Sequence, residues 1–140
     1  MSTLLEINGL YTSFGRDETE IKAVREVSLK IEKGETHALV GESGSGKSVT
    51  ALSVMQLLPY PLAWHGGGSI TFRDTELMGA PASRMREVRG NRIAMIFQEP
   101  LTSLNPLHSI ETQISEVLFL HKALSPVEAH ERVLELLDLV

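Results

Sequence analysis

The fold is decided by residues 37–48, which read HALVGESGSGKS. Residues 37–40 are a short, mostly apolar run, typical of a strand that is buried on both faces of a parallel sheet. Residues 41–48 match the pattern G-x-x-x-x-G-K-[ST], and a helical apolar surface without Gly or Pro extends from Lys47 to Leu58. A strand, a glycine-rich turn and a helix in this order predict an α/β protein with a phosphate-binding loop.

The chemistry of the loop positions fits the phosphates of a nucleoside triphosphate. Glycines let the backbone turn so that successive N–H groups point at an anion, and the helix that begins near Lys47 adds its positive end. The Lys47 ammonium is a mobile cation for the outer phosphates, and the Ser48 hydroxyl is an oxygen ligand for Mg²⁺. We therefore predict that the nucleotide is held by Gly41, Glu42, Ser43, Gly44, Ser45, Gly46, Lys47, Ser48 and Val49.

Periodicity predicts the remaining elements. Apolar and polar residues alternate, as in half-buried strands, at residues 5–7, 27–31 and 69–72, and a second buried strand is expected at residues 93–97. The glycines and prolines of residues 59–68 predict a loop. Helices are expected at residues 83–89, at residues 110–118 and after Ser125, where Pro126 and Glu128 complete a capping signal.

Other motifs that use glycine fit the sequence poorly. A dinucleotide-binding fingerprint that begins at Gly44 would have Val49 in its third glycine position. Residues 65–68, HGGG, resemble the oxyanion-hole motif of some esterases, but the required G-x-S-x-G is missed at Ser45 and the order along the chain is wrong. A GTPase would offer Asn-Lys-x-Asp for guanine, and the sequence has none.

A second motif distinguishes among the protein families that contain a phosphate-binding loop. Residues 98–106, QEPLTSLNP, follow the apolar run at residues 93–97. Together with the loop, they resemble the ATP-binding subunit of ABC transporters, in the branch that imports oligopeptides, dipeptides and nickel. The resemblance covers the whole chain. It implies an α/β P-loop NTPase core with an N-terminal antiparallel β subdomain, together residues 1–105, and the start of an α-helical subdomain at residues 106–140, within one incomplete ATP-binding domain.

The resemblance also implies roles for single residues. Gln98 corresponds to the glutamine of the Q-loop, which reaches Mg²⁺ and the attacking water, and a neutral amide can do both through its oxygen. Phe14 falls where the family places the aromatic ring that stacks on adenine, and Tyr11 remains an alternative. The expected catalytic residues are thus Gln98 and Lys47, the expected Mg²⁺ ligands are Ser48 and Gln98, and the expected cofactors are ATP and Mg²⁺.

Partners follow from the same resemblance. Residues 99–106, which begin at Glu99 and end at Pro106, resemble the stretch that meets the coupling helix of a transmembrane permease subunit, and their two prolines limit backbone freedom. The family implies a second ATP-binding subunit in a head-to-tail dimer and a peripheral position at the cytoplasmic face of a bacterial inner membrane. The implied function is ATP hydrolysis that powers import of peptides or a related solute.

Several catalytic parts of that family do not occur in these 140 residues. There is no Leu-Ser-Gly-Gly-Gln signature, no apolar strand that ends in Asp-Glu and no switch histidine after such a strand. Phosphoryl transfer to water needs a metal-holding carboxylate and a residue that orients the nucleophile. We therefore expect an N-terminal part of a longer protein, with negligible turnover by itself and without cover for Val40, Ile93 and Met95.

Composition argues against other classes of function. The net charge is −5, and no aromatic residue interleaves the arginines at residues 84–92, so nucleic-acid binding is not expected. The absence of cysteine excludes disulfides and thiolate metal sites, and the five histidines show no metal-ligand spacing. No apolar stretch approaches the ~20 residues of a spanning helix.

Two alternatives from other classes remain open. The first is a phosphotransferase such as a small kinase, in which arginines would clamp a second substrate. Its only candidates are Arg84, Arg86, Arg89 and Arg92. The second is a module that binds nucleotide and docks a partner without catalysis.

Overall fold

The chain forms two compact units in the computed structural model, which describes residues 2–140 apart from the side chains of Pro100 and Leu101. One unit ends at Met85 and the other is Arg86–Val140. The expected division between the core at residues 1–105 and the helical subdomain at residues 106–140 stays a prediction.

The first unit is built on a four-stranded antiparallel sheet in the order β2-β1-β3-β4. The strands are β1 (Thr3–Phe14), β2 (Ile21–Glu32), β3 (Ala63–Phe72) and β4 (Thr75–Glu76). The predicted antiparallel β subdomain is thus confirmed. Its buried core includes Ile7, Leu10, Val24 and Ile70 of the strands, together with Leu77, which directly follows β4.

The predicted loop at residues 59–68 is wrong in its second half, because β3 begins at Ala63 and runs through three glycines. At Gly68 the strands approach so closely that a Cβ would lie 2.5 Å from the carbonyl oxygen of Gly9. The register of β1 and β3 shifts at the same place, which marks a bulge. A glycine here therefore allows β1 and β3 to approach closely, although a stretch so rich in glycine is typical of a loop.

Helix α1 (Lys47–Val54) follows the phosphate loop and ends earlier than predicted. Gln56 adopts a left-handed φ of 52°. Its N–H donates to the Ser53 carbonyl at 3.1 Å, and the Leu57 N–H donates to the Leu52 carbonyl at 3.0 Å. This pair of bonds is a Schellman motif, which satisfies carbonyls that the helix leaves unpaired and so ends it.

The second unit is helical. Helix α2 (Ala82–Val88) leads into it, and α3 (Ile110–Lys122) and α4 (Pro126–Asp138) follow, so all three predicted helices are confirmed. The apolar stripe of α4 is buried at Ala129 and Val133. Within residues 2–140, no helix is both long enough and apolar enough to cross a membrane.

Neither predicted buried strand forms in the described part of the chain. The segments at residues 37–40 and 93–97 pair with no strand there, apart from a single bridge at Ile93. A strand of a parallel sheet is stable only between covering neighbours, and the four observed strands pair among themselves. Val40 is 84% exposed, as expected for a position without cover, and Ile96 is 97% exposed. Ile93 and Met95, which were also expected to lack cover, are half-buried.

The capping box at the start of α4 makes the stability of this helix depend on pH. The Glu128 carboxylate accepts from the Ser125 N–H at 2.8 Å and from the Ser125 hydroxyl at 2.6 Å. These hydrogen bonds hold the pKa of Glu128 below its ordinary value of 4.5. Because the folded pKa is lowered, the stabilisation is full above the unfolded pKa and is lost as pH falls through the folded pKa.

We expect Glu128→Gln to lower Tm near neutral pH and to reduce the loss of Tm on acidification. Thermal unfolding followed by circular dichroism at about pH 7 and about pH 3 measures both effects. The matched control is Glu131→Gln, an exposed position on the same helix outside the box. An unchanged pH dependence in Glu128→Gln would contradict the assigned role.

Candidate functional site

The phosphate loop, residues 41–48, ends at the N-terminus of α1. Gly46 is the N-cap of this helix, with a left-handed φ of 89°. Its carbonyl accepts from the Thr50 N–H at 2.8 Å and from the Thr50 hydroxyl at 2.9 Å. The N–H groups of the first helical turn have no acceptor within a helix, so they favour an anion at this end of the loop.

The Lys47 ammonium is folded back onto the loop. It donates to the carbonyl oxygens of Gly41 at 2.8 Å and Glu42 at 2.6 Å, and to the Ser45 hydroxyl at 3.2 Å. An ammonium has three donors, so each of them has an acceptor within the loop. The cation therefore lies at the place where the phosphates are expected, and a phosphate would offer it stronger, charged acceptors.

Strand β2 lies directly against the loop. A Cβ on Gly46 would lie 2.5 Å from the Ala23 carbonyl oxygen and 3.4 Å from Cγ2 of Val24. Glycine is thus required here for space as well as for backbone conformation. The sheet therefore sets the position of the loop and of the helix that follows it.

Phe14 and Tyr11, the two candidates for a nucleobase-stacking ring, have different surroundings. The Tyr11 hydroxyl donates to the Glu26 carboxylate at 3.1 Å, and this hydrogen bond raises the pKa of Tyr11. Phe14 is half-buried at the end of β1, between Ile21 of β2 and Ala63 of β3. Because the Tyr11 side chain is engaged with β2, we keep Phe14 as the candidate.

A buried polar network joins α1 to the sheet. The Thr12 hydroxyl oxygen lies 3.3 Å from the Ser53 hydroxyl oxygen and 3.0 Å from Nδ1 of His65. Ser53 also donates to the Val49 carbonyl at 2.7 Å, and Nε2 of His65 lies 2.7 Å from the Tyr60 hydroxyl oxygen. Partial burial lowers the pKa of His65. Sequence reasoning missed this network, because its members are far apart along the chain and follow no period.

Gln98 belongs to the second unit and is exposed there. The single-turn helix Pro100–Ser103 follows it, within the segment at residues 99–106 that is expected to dock a permease. The described side chains of that segment are exposed. Gln98 lines a cavity of about 550 Å³ together with Phe97, Glu99, Thr102 and Ser103.

The phosphate loop fits a nucleoside triphosphate with Mg²⁺. The Lys47 ammonium and the amides at the start of α1 match the phosphates, and the exposed Ser48 hydroxyl is an oxygen donor in the first turn of that helix. Mg²⁺ keeps several waters and binds through one or two protein oxygens and the substrate phosphates. The absence of a His, Cys, Asp or Glu cluster that could hold a metal among the described residues is therefore compatible with Mg²⁺ bound through nucleotide.

Comparison with known proteins agrees with this geometry. The sequence matches the family described as ABC transporter over residues 24–140, and the chain belongs to this family. It is 53% identical over 134 residues to the peptidoglycan transport ATP-binding protein YejF of Agrobacterium fabrum, which covers 96% of this chain and 24% of that protein. It is 50% identical over 140 residues to the oligopeptide transport ATP-binding protein AppD of Bacillus subtilis, covering 100% of this chain and 43% of that protein.

The fold matches that of a solved structure described as dimeric MJ0796, a bacterial ABC transporter cassette. The TM-score is 0.80 at 23% sequence identity, over 96% of this chain and 56% of that chain. The predicted family and the predicted cassette fold are thus confirmed. The chain spans 24% of one relative above and 43% of the other, so it corresponds to part of each. The roles of single residues in the site stay predictions.

Proposed function

We propose that the whole protein is the ATP-hydrolysing subunit of a transporter that imports peptides or a related solute. The observation that supports this most directly is the loop at residues 41–48, in which the Lys47 ammonium donates to the Gly41 and Glu42 carbonyls and α1 begins directly after the loop. The solute class rests on the relatives, which are named for peptidoglycan and oligopeptide transport and are about half identical to this chain.

In this proposal each part of the site has a distinct task. Lys47 and the loop amides hold the outer phosphates and stabilise the charge that develops on them. The Ser48 hydroxyl and the Gln98 amide oxygen are the residues that would hold Mg²⁺, which neutralises phosphate charge when bound. Gln98 also orients the attacking water, and the Phe14 ring stacks on adenine.

The proposed partners are other subunits of the transporter. The dimeric state in the description of the MJ0796 structure supports a dimer of ATP-binding subunits. We propose that the two subunits pair head to tail, so that each supplies parts of the other's site. Residues 99–106 expose their described side chains and form the proposed contact with a permease. The protein would then lie at the cytoplasmic face of a bacterial inner membrane.

For residues 1–140 by themselves, as distinct from the whole protein, we propose weak nucleotide binding without turnover. The observation in favour is the exposure of Val40 and Ile96, in the two apolar segments that were expected to be buried. The segment that includes Ile96 also leads into Gln98, so the surroundings of a proposed catalytic residue lack packing.

ATP hydrolysis and solute uptake test the proposal. The full-length protein, reconstituted with its permease in vesicles, is expected to hydrolyse ATP with Mg²⁺ and to accumulate a labelled peptide only when ATP is present. Failure of the full-length protein to turn over ATP would refute the function. Transfer of phosphate to an acceptor other than water would favour the phosphotransferase. Multiple turnovers by the purified 140-residue chain would contradict the second proposal.

A further inference from the structure

The turn that follows Phe14 is held at both backbone groups of Gly15. The Gly15 N–H donates to the Leu62 carbonyl at 3.0 Å. The Gly15 carbonyl accepts from the indole N–H of Trp64 at 2.8 Å. Leu62 and Trp64 flank the first residue of β3, so the start of one strand fixes the chain that leaves the end of another.

The same turn is closed on its other side. A Cβ on Gly15 would lie 2.6 Å from the Thr19 carbonyl oxygen, so the two backbone segments are already in contact. The Thr19 hydroxyl donates to the Arg16 carbonyl at 2.8 Å, and its N–H donates to the same oxygen at 3.1 Å. The residue after Phe14 therefore has little freedom to move.

Trp64 is itself held in place. It pairs with Ser13 in the register of β1 and β3, and it is half-buried. A Cβ on Gly66 would lie 3.3 Å from Cζ3 of the indole, and the Arg16 guanidinium lies 5.8 Å from the ring centroid. The indole N–H is the only hydrogen-bonding group of a tryptophan side chain, and here it is used on the Gly15 carbonyl.

We propose that Trp64 is a positioning residue for the nucleobase end of the site, acting through Phe14. The inference rests on the proposed function. A phenylalanine ring has no hydroxyl that could fix its direction, so its orientation depends on its rotamer and on the backbone on either side. The hydrogen bond from Trp64 fixes that backbone on the C-terminal side. Trp64 thereby sets the plane in which the Phe14 ring meets adenine.

The test compares two ligands of the full-length protein, ATP and inorganic tripolyphosphate, by isothermal titration calorimetry with Mg²⁺. Trp64→Phe keeps an aromatic ring and removes the N–H donor. It is expected to weaken ATP binding about 3- to 10-fold, the size of one hydrogen bond. Tripolyphosphate binding should stay unchanged, because this ligand has no base to stack.

Two further variants separate positioning from a general structural role. Phe14→Leu should weaken ATP binding at least as much as Trp64→Phe, again without an effect on tripolyphosphate. The double variant should bind ATP no more weakly than Phe14→Leu alone, because Trp64 acts through the Phe14 ring, which is already lost. Phe119→Leu, which replaces an exposed aromatic side chain on α3, is the control and should leave the binding of both ligands unchanged.

The outcomes distinguish the inference from the function on which it rests. Equal losses for ATP and tripolyphosphate in Trp64→Phe, or effects of Trp64→Phe and Phe14→Leu that add, would overturn the inference. So would ATP binding that is indifferent to Phe14→Leu. Failure of the unmodified protein to bind either ligand would instead refute the proposed function.

Discussion

Lys47→Ala is expected to lower kcat for ATP hydrolysis by the full-length protein about 100-fold or more, because the charge it supplies is needed most in the transition state. Among the residues that the structure describes, the acceptors of this side chain all lie within its own loop. Its removal should therefore leave the sheet and α1 folded. Steady-state hydrolysis at saturating ATP measures kcat, and circular dichroism reports the fold.

Lys33→Ala is the matched control for this prediction. It removes the same charge from an exposed turn of the same unit. We expect hydrolysis within about two-fold of the unmodified protein, because exposed charges interact weakly through water. A Lys47→Ala protein that keeps more than about a tenth of its kcat would show that the phosphates are stabilised mainly by other groups.

The second large effect is expected at Gly46, where alanine would combine two costs. Its backbone would keep a left-handed φ of 89°, and its Cβ would meet the Ala23 carbonyl at 2.5 Å. Relief of that contact requires the loop to move away from β2. We expect ATP binding to weaken at least about 10-fold, since displacement of the loop disturbs every phosphate contact at once.

Gly34→Ala isolates the first of these costs. Gly34 has a φ of 83°, and a Cβ there would have no neighbour within 4 Å. Gly34→Ala should therefore lower the free energy of unfolding by about 1 kcal/mol, which is the cost of placing a residue with a Cβ in the left-handed conformation. Gly46→Ala should lower the free energy of unfolding by at least about 1 kcal/mol more than Gly34→Ala, because its Cβ also overpacks the contact with β2. Chemical denaturation measures both variants, and equal losses would mean that the contact with β2 is easily relieved.

Local signals in the sequence were sufficient for much of the fold. The alternation at residues 27–31 correctly predicts part of an edge strand, and the Ser125 cap correctly starts α4. Both depend on neighbours within a few positions, which periodicity and capping describe well. The pattern at residues 41–48 is also local, since its residues are contiguous in the chain, and their role in binding phosphate stays a prediction.

Long-range contacts could not be predicted from the sequence. Residues 37–40 read as a buried strand because their composition is apolar, but composition does not say whether neighbouring strands are present. Likewise, nothing in the chain near Thr12 indicates that its hydroxyl meets Ser53 and His65. The bond from Trp64 to Gly15 also joins residues that no spacing rule connects.

The close approach of Gly68 to Gly9 has a consequence for how the site is attached to its scaffold. A slip of β3 along β1 that brought Ser69 or Ile70 into that narrow place would press a Cβ against a carbonyl oxygen. Sterics within the two strands thus oppose mispairing in that direction, independently of the chain that connects β2 to β3. That connection, residues 33–62, contains the whole phosphate loop. We therefore expect β1 and β3 to keep their alignment when this connection changes in length.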